Sequence, residues 1–217
     1  MTLPDPRDTH PVVLPNGERD PGTVFLKQVI DHPNIEVGDY TYFNDSDIPQ
    51  DYALAIAPYL FPGAPERLVI GKFCQIAKGT RFVTATANHP MAGISTYPFG
   101  VFDAARFPSY RASLPHGGDT VVGHDCWFGR DVLVLPGAEL GSGVIVGAGA
   151  VVSGKVPDYA VVAGNPAKVI RMRFPDDRIA KLLQLQWWDW PPERIVQAIP
   201  AIEGADVEAL TRFAETA

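Results

Sequence analysis

The sequence predicts a β-helix, and three observations carry that prediction. From Val122 onward a large apolar residue recurs at every sixth position: Val122, Phe128, Val134, Leu140, Val146 and Val152. Gly follows most of them, as at Gly123, Gly129, Gly141 and Gly147. Four places beyond each large residue stands a small or branched one: Cys126, Val132, Ala138, Val144, Ala150 and Val156. A period of six fits neither the 3.6-residue turn of an amphipathic helix nor the simple alternation of a strand. It fits a hexapeptide β-helix, in which each hexad makes one short strand and one corner. Such a coil cannot bury its flat faces alone, so adjacent coils tend to form clefts between subunits.

The elements follow in order. Residues 1–22 hold five prolines and several charges, which predicts an extended arm rather than a packed element. Residues 23–32 (TVFLKQVIDH) are apolar-rich and fit either a short helix or a strand. The hexad rhythm starts at Val37-Gly38-Asp39-Tyr40-Thr41-Tyr42 and breaks over 44–67, where Pro49, Pro58, Pro62 and Pro65 fall. Ile70, Ile76 and Phe82 resume it for roughly one turn of coil. A second break spans 87–119. Structureless insertions longer than about 12–15 residues in a compact domain are usually functional loops or disorder. His89, Tyr97, Phe99, Phe102, Phe107 and Tyr110 lie in this one, and so many aromatics argue for a loop packed on something.

After Pro157 the phase slips, and Gly164-Asn165-Pro166-Ala167-Lys168 closes the coil, whose end needs a cap against unpaired strand groups. From Pro175 the period becomes helical. Asp176 or Asp177 is a candidate cap for a helix bearing Ile179, Leu182, Leu183 and Leu185. Pro191 and Pro192 start a second helix, with Ile195, Val196 and Ile199 on one side, and Asp206 to Ala214 form a third. The expected organisation is an arm and lead-in over 1–33, a β-helix over 34–174 and C-terminal helices over 175–217.

Composition bounds the function. A chain of 217 residues with 46% apolar content is one domain with a real core. A formal charge of −7 argues against nucleic acid or an anionic membrane as partner, although a local basic patch can still hold an anion. No run approaches the roughly 20 apolar residues of a membrane span. The N-terminus lacks the basic start and apolar stretch of a signal peptide, so the expected location is the cytoplasm. Cys74 and Cys126, each fifth in a hexad, read as small inward fillers rather than a disulfide or a metal pair.

Five histidines are the obvious chemical candidates. His10 in the arm reads as solvated, and His32 and His116 sit in loops beside Pro or Gly. His124 is third in a hexad, a place that points outward, so exposure is expected. His89 differs because it stands where the coil breaks into the long loop, in Thr84-Ala85-Thr86-Ala87-Asn88-His89-Pro90. A loop base rooted in a rigid coil has the positioning that catalysis requires. Periodicity by itself would leave it an ordinary loop histidine. Trp187, Trp188 and Trp190 at helical spacing read as packing between the last helices and the coil.

The segments IEVGDYTYF, NHPMAGISTYPF, GHDCWFGRDV, GNPAKVI and WWDWP together resemble the hexapeptide-repeat xenobiotic acetyltransferases. These include the streptogramin A acetyltransferases and the type B chloramphenicol acetyltransferases. The likeness runs from about residue 34 to 191. It departs at Gly93-Ile94, which lengthen the link between His89 and TYPF, and over 100–118 and the arm, which match no branch.

The resemblance implies a left-handed parallel β-helix, an exception to right-handed crossovers, assembled as a homotrimer with sites between neighbouring subunits. It implies acetyl transfer from acetyl-CoA to a hydroxyl of a small molecule, with no metal. His89 matches the family's catalytic base. An imidazole with an unperturbed pKa of about 6.5 suits proton removal from an alcohol near neutral pH. Tyr42 matches a tyrosine lining the acceptor pocket, with a cover for the coil edge as its plain alternative. Trp127 is expected to flank the cleft or to make a subunit contact. Gly147 and Ala148, beside Gly149, would let the coenzyme's amide-rich arm approach the backbone, or simply turn corners. Lys168 and Arg171, with Arg173 less distinct from a solvated charge, are the expected partners of the coenzyme phosphates. The acceptor is expected to be a streptogramin A- or chloramphenicol-type antibiotic, with a sugar or other hydroxylated metabolite as its competitor. Two rivals on the same scaffold are a γ-type carbonic anhydrase, which needs three histidines converging on zinc, and a non-enzymatic solenoid.

Overall fold

The computed structural model describes residues 2–215. A lead-in strand β1 (Thr23–Phe25) is followed by a 3-10 turn over Leu26–Gln28, so both readings of this segment hold in succession. The first coil supplies β2 (Ile35–Val37) and β3 (Tyr42–Asn44), and helix α1 (Tyr52–Ile56) lies in the first excursion. The second coil supplies β4 (Leu68–Ile70), β5 (Gln75–Ala77) and β6 (Arg81–Phe82). Helix α2 (Phe107–Ala112) lies in the second excursion. The third coil is β7 (Thr120–Val122), β8 (Trp127–Phe128) and β9 (Leu133–Val134). The fourth is β10 (Glu139–Leu140), β11 (Ile145–Val146) and β12 (Val151–Val152). Strands β13 (Lys155–Val156) and β14 (Ala160–Ala163) begin a fifth, which β15 (Lys168–Met172) closes.

These strands stack into three sheets of a left-handed parallel β-helix, in the orders β1-β3-β5-β8-β11-β14-β15, β13-β10-β7-β4-β2 and β12-β9-β6. Pairing between coils is parallel, whereas β1 on β3 and β15 on β14 are antiparallel. Those two antiparallel strands cover the ends of the longest sheet, where open edges would otherwise template unwanted pairing.

The hexad now has a physical meaning. Two residues apart in each strand point inward, as alternation demands. Cys126 with Phe128, Val132 with Val134, and Val144 with Val146 are therefore all buried. Fully burying a side chain of this size contributes about 1.5–3 kcal/mol. Both cysteines are free and buried, as fillers, and each thiol reaches a carbonyl of the next coil: Cys74 to Gly123 at 3.2 Å, Cys126 to Gly141 at 3.1 Å. Gly follows the large residue because coils touch there. A Cβ on Gly71 would lie 2.5 Å from the Gly123 carbonyl oxygen, and one on Gly123 would lie 2.6 Å from the Ser142 nitrogen. The corner between the two longer sheets also imposes a positive φ, repeated at Tyr40, Phe73, Asp125, Gly143 and Tyr159. Tyr40 and Phe73 stack at 4.7 Å along this column.

The arm is tied to the coil: the Thr9 carbonyl accepts from Phe25 N–H and the Pro6 carbonyl accepts from Gln28 Nε2. At the other end, α3 (Asp176–Leu185), α4 (Pro192–Glu203) and α5 (Val207–Glu215) enclose a second core with Tyr159, Leu182, Trp187, Trp188 and Ile195. Trp187 and Trp188 are buried packing residues, as their spacing suggested. The cap of α3 is Pro175, with Asp176 and Asp177 one step inside the first turn.

His124 is corrected from surface residue to junction residue. Its ring stacks on Trp188 at 5.0 Å and 8°, and its Nδ1 accepts from the Lys72 N–H at 3.0 Å. An accepting Nδ1 means a neutral ring. Burial pushes the His124 pKa below its ordinary 6.5; Asp189 opposes the shift and Lys72 adds to it. The folded state thus disfavours the cation. His124 contributes full stability above the unfolded pKa, and this is lost as pH falls through the depressed folded value. Between about pH 7 and about pH 5 the melting temperature is therefore expected to fall more steeply for the wild type than for His124→Gln. Parallel slopes in a thermal scan would exclude His124 as the source.

Candidate active site

Where the coil ends at β6, Val83 N–H still bonds to the Val134 carbonyl at 2.8 Å. One 3-10 turn, Ala85–Ala87, then directs the chain outward, closed by Asn88 N–H on the Ala85 carbonyl at 2.9 Å. His89 follows at the rim. Its Nδ1 lies 3.0 Å from the Thr96 carbonyl oxygen. A carbonyl only accepts, so Nδ1 carries a hydrogen, and in the neutral ring Nε2 is then the nitrogen with the free lone pair. The NH and TYPF segments thus close on each other despite the added Gly93-Ile94.

The imidazole borders a cleft of about 500 Å³ walled by both excursions, with Tyr59 and Phe61 from the first and Val101, Phe107, Tyr110 and Leu114 from the second. Among the described residues, Arg111 is the one Lys or Arg on its lining. Beyond the cleft, Tyr97 meets Phe99 at 4.7 Å and Phe102 at 5.7 Å, but all three rings are more than half exposed, so the aromatic loop is not packed on the coil as expected. The contribution of Tyr59 and Phe61 was not legible from periodicity. The sequence marked this segment only as a proline-rich break in the hexads.

Tyr42 and Trp127 lie elsewhere. Tyr42, Gln75 and Trp127 are in register across β3, β5 and β8, forming one outward column on the seven-stranded sheet. They line a groove of about 560 Å³ whose other wall is the arm, through Pro4, Pro11 and Val12. Burial pushes the Tyr42 phenol up, which keeps it a hydrogen-bond donor. Trp127 is 50% exposed. This groove and the His89 cleft share no lining residue, so a single chain does not bring Tyr42 and Trp127 to His89.

The four residues expected to meet coenzyme occupy the closing end of the coil. Gly147 N–H bonds to the Val162 carbonyl at 2.8 Å, and Ala163 then pairs with Lys168 across β14 and β15. A Cβ on Gly147 would sit 3.0 Å from the Ala163 Cβ, so this glycine serves coil stacking, while Ala148 is exposed beside it. Lys168 and Arg171 are exposed, and among the described residues neither has a carboxylate partner within ion-pair distance. Arg173 is different. Its Nη1 donates to the Gly143 carbonyl at 2.7 Å, lies 3.5 Å from Asp125 Oδ2, and its guanidinium covers the Tyr159 ring at 5.3 Å. It belongs to the junction with the helices rather than to an open anion site.

Among the described residues no group of three His, Cys, Asp or Glu side chains converges as metal ligands. His89, His116 and His124 thus do not converge within one chain as the triad of a γ-type carbonic anhydrase would. No helix among the described residues is long and apolar enough to cross a membrane.

Residues 119–154 match the family described as bacterial transferase hexapeptide (six repeats). Coil and match together define a hexapeptide-repeat transferase. The chain is 40% identical over 196 residues to a chloramphenicol acetyltransferase of Agrobacterium fabrum (strain C58 / ATCC 33970), covering 88% of this chain and 92% of that one. It is 40% identical over 212 residues to a virginiamycin A acetyltransferase of Staphylococcus aureus, covering 96% and 93%. A probable macrolide acetyltransferase of Lysinibacillus sphaericus is 45% identical over 132 residues, covering 60% and 73%. The chain belongs to the hexapeptide-repeat xenobiotic acetyltransferase family, that of the type B chloramphenicol and streptogramin A enzymes, and is an acetyltransferase.

Proposed function

We propose that this acetyltransferase moves an acetyl group from acetyl-CoA to a hydroxyl of a small xenobiotic, with His89 as general base, in a homotrimer whose sites lie between subunits. The observation that carries the reading is the His89–Thr96 bond, which leaves Nε2 as a free acceptor at the rim of an apolar cleft. An alcohol is a weak nucleophile until a base removes its proton during attack. Acetyl-CoA supplies the activated acyl group as a thioester. His89 Nε2 takes the hydroxyl proton, the Thr96 carbonyl holds the ring in place throughout, and the imidazolium then has a proton to return to the departing thiolate. The aromatic walls keep water from competing for the acyl group.

Lys168 and Arg171 suit the coenzyme phosphates because no carboxylate among the described residues neutralises them. Ala148 leaves a low, exposed rim beside them for an extended amide chain. The separation of the Tyr42–Trp127 groove from the His89 cleft supports a site shared between chains, one supplying the base and the next the column of Tyr42, Gln75 and Trp127. The bulky aromatic lining and the names of the relatives support an antibiotic acceptor over a sugar.

His89→Ala is expected to lower turnover by about 10²–10⁴-fold while acetyl-CoA still binds. Release of the coenzyme thiol measures this, with hydroxylated antibiotics and hexoses as acceptors; unchanged turnover would remove His89 from the chemistry. Inactive His89→Ala and Tyr42→Ala chains, unfolded and refolded together, are expected to regain activity, since mixed trimers contain sites with both residues intact. A mixture as inactive as its components would place the whole site within one chain. Lys168→Ala is expected to raise the acetyl-CoA KM several-fold and flatten its salt dependence; an unaltered KM would return Lys168 to the surface.

A further inference from the structure

Glu66 has no part in the coil and does not line the His89 cleft, yet it is only 4% exposed. It stands at the end of the first excursion, two residues before β4. Its Oε1 accepts the Thr86 N–H at 3.0 Å, within the turn that leads to His89. The Thr86 hydroxyl in turn donates to the Tyr59 carbonyl and lies 2.8 Å from Thr84 Oγ1.

The next residue, Arg67, holds the returning foot of the second excursion. Arg67 N–H donates to Asp119 Oδ1 at 2.8 Å, and the Arg67 carbonyl accepts the Thr120 N–H at 2.9 Å. The two feet nearly touch, because a Cβ on Gly117 would lie 3.1 Å from the Ala85 Cβ. Glu66 is itself fixed from below, where Asn34 Nδ2 donates to its carbonyl at 3.0 Å and to that of Ala64 at 2.8 Å.

We propose that Glu66 is a positioning residue for acetyl transfer: with Arg67 it fastens both feet of the second excursion to the coil and so sets where the His89 imidazole stands. The proposal rests on His89 being the base. Misplacing a reacting group by about 1 Å can cost on the order of 10²-fold in rate. The role requires an acceptor oxygen and not a charge, so an amide in its place should serve.

The test uses full-length Glu66→Ala, Glu66→Gln and Asp119→Ala beside His89→Ala. Glu66→Ala and Asp119→Ala are expected to lower kcat by about 10–100-fold with the acetyl-CoA KM unchanged. Glu66→Gln is expected to restore most of kcat and leave the midpoint of the pH–rate profile where it was. Asp119 is exposed, so its variant reports on the clamp even if Glu66→Ala fails to fold. The proposal is overturned if Glu66→Ala keeps full kcat, if Gln damages kcat as much as Ala does, or if the pH midpoint moves in Glu66→Gln. Loss of acetyl-CoA affinity together with kcat would likewise overturn it, as a general structural defect. Full turnover in His89→Ala would fail the base assignment and the proposal with it, whereas an inactive His89→Ala beside an active Glu66→Ala would fail the proposal alone.

Discussion

Close approach of one coil's backbone to the next is the constraint from which the remaining structure follows. Residues 71, 123 and 142 lie nearly in van der Waals contact along one edge, leaving no room for a Cβ on Gly71 or Gly123. Backbone bonds such as Gly71 N–H to the Val122 carbonyl and Gly123 N–H to the Leu140 carbonyl repeat the contact coil by coil. Phase is therefore strict, because a slip of one residue would turn the inner pair of every strand outward. An insertion is tolerated only if it leaves at a corner and returns in phase. Both excursions do so, re-entering at β4 and β7, which are neighbours in the same sheet. Their adjacency at the site is a consequence of where the coil allows them to return.

That geometry divides the chemistry. The coil contributes a rigid exit point and a regular outward column, here Tyr42, Gln75 and Trp127. The excursions contribute the aromatic walls and the imidazole. A histidine on a free loop would sample many orientations, whereas His89 is held at its root by the Ala85–Ala87 turn and at its ring by Thr96. The coil's closing end presents Lys168 and Arg171 without carboxylate partners among the described residues, in a chain of net charge −7.

Much of this was legible because it is periodic. Hexads revealed the buried pairs, the filler cysteines and the two breaks, since each is a statement about neighbours six residues apart. What was illegible depends on contacts between distant segments. His124 was expected at the surface because its place in the hexad points outward, but Trp188 from the helices covers it and Lys72, 52 residues earlier, bonds to it. Arg173 looked like the third cation of a cluster, yet the corner at Asp125 and Tyr159 captures it. The arm was expected to be extended, whereas Val12 to Asp20 fold back as a hairpin with Val13 paired to Arg19, and nothing in its prolines indicated that Pro4, Pro11 and Val12 would wall the Tyr42 groove. Tyr42 and His89 carry matching motifs, and the chain keeps them in separate clefts.

The cleft beside His89 follows a different logic from the core. Core residues are confined on all sides by coils above and below, so a change of volume is felt at once. Tyr59, Phe61, Phe107 and Tyr110 line a cleft between loops whose feet Glu66, Arg67, Thr86 and Asp119 hold by hydrogen bonds, and the first three rings are more than 40% exposed. The loop between Thr86 and Asp119 departs and returns without disturbing any hexad, because Arg67 holds both Asp119 and Thr120 where the chain rejoins the coil. The added Gly93-Ile94 illustrates this. It lengthens the link from His89 to Thr96, and the ring still reaches the Thr96 carbonyl at 3.0 Å. The spans of the loops thus shape the cleft that His89 borders, while their anchored ends fix where the chain leaves and rejoins the coil.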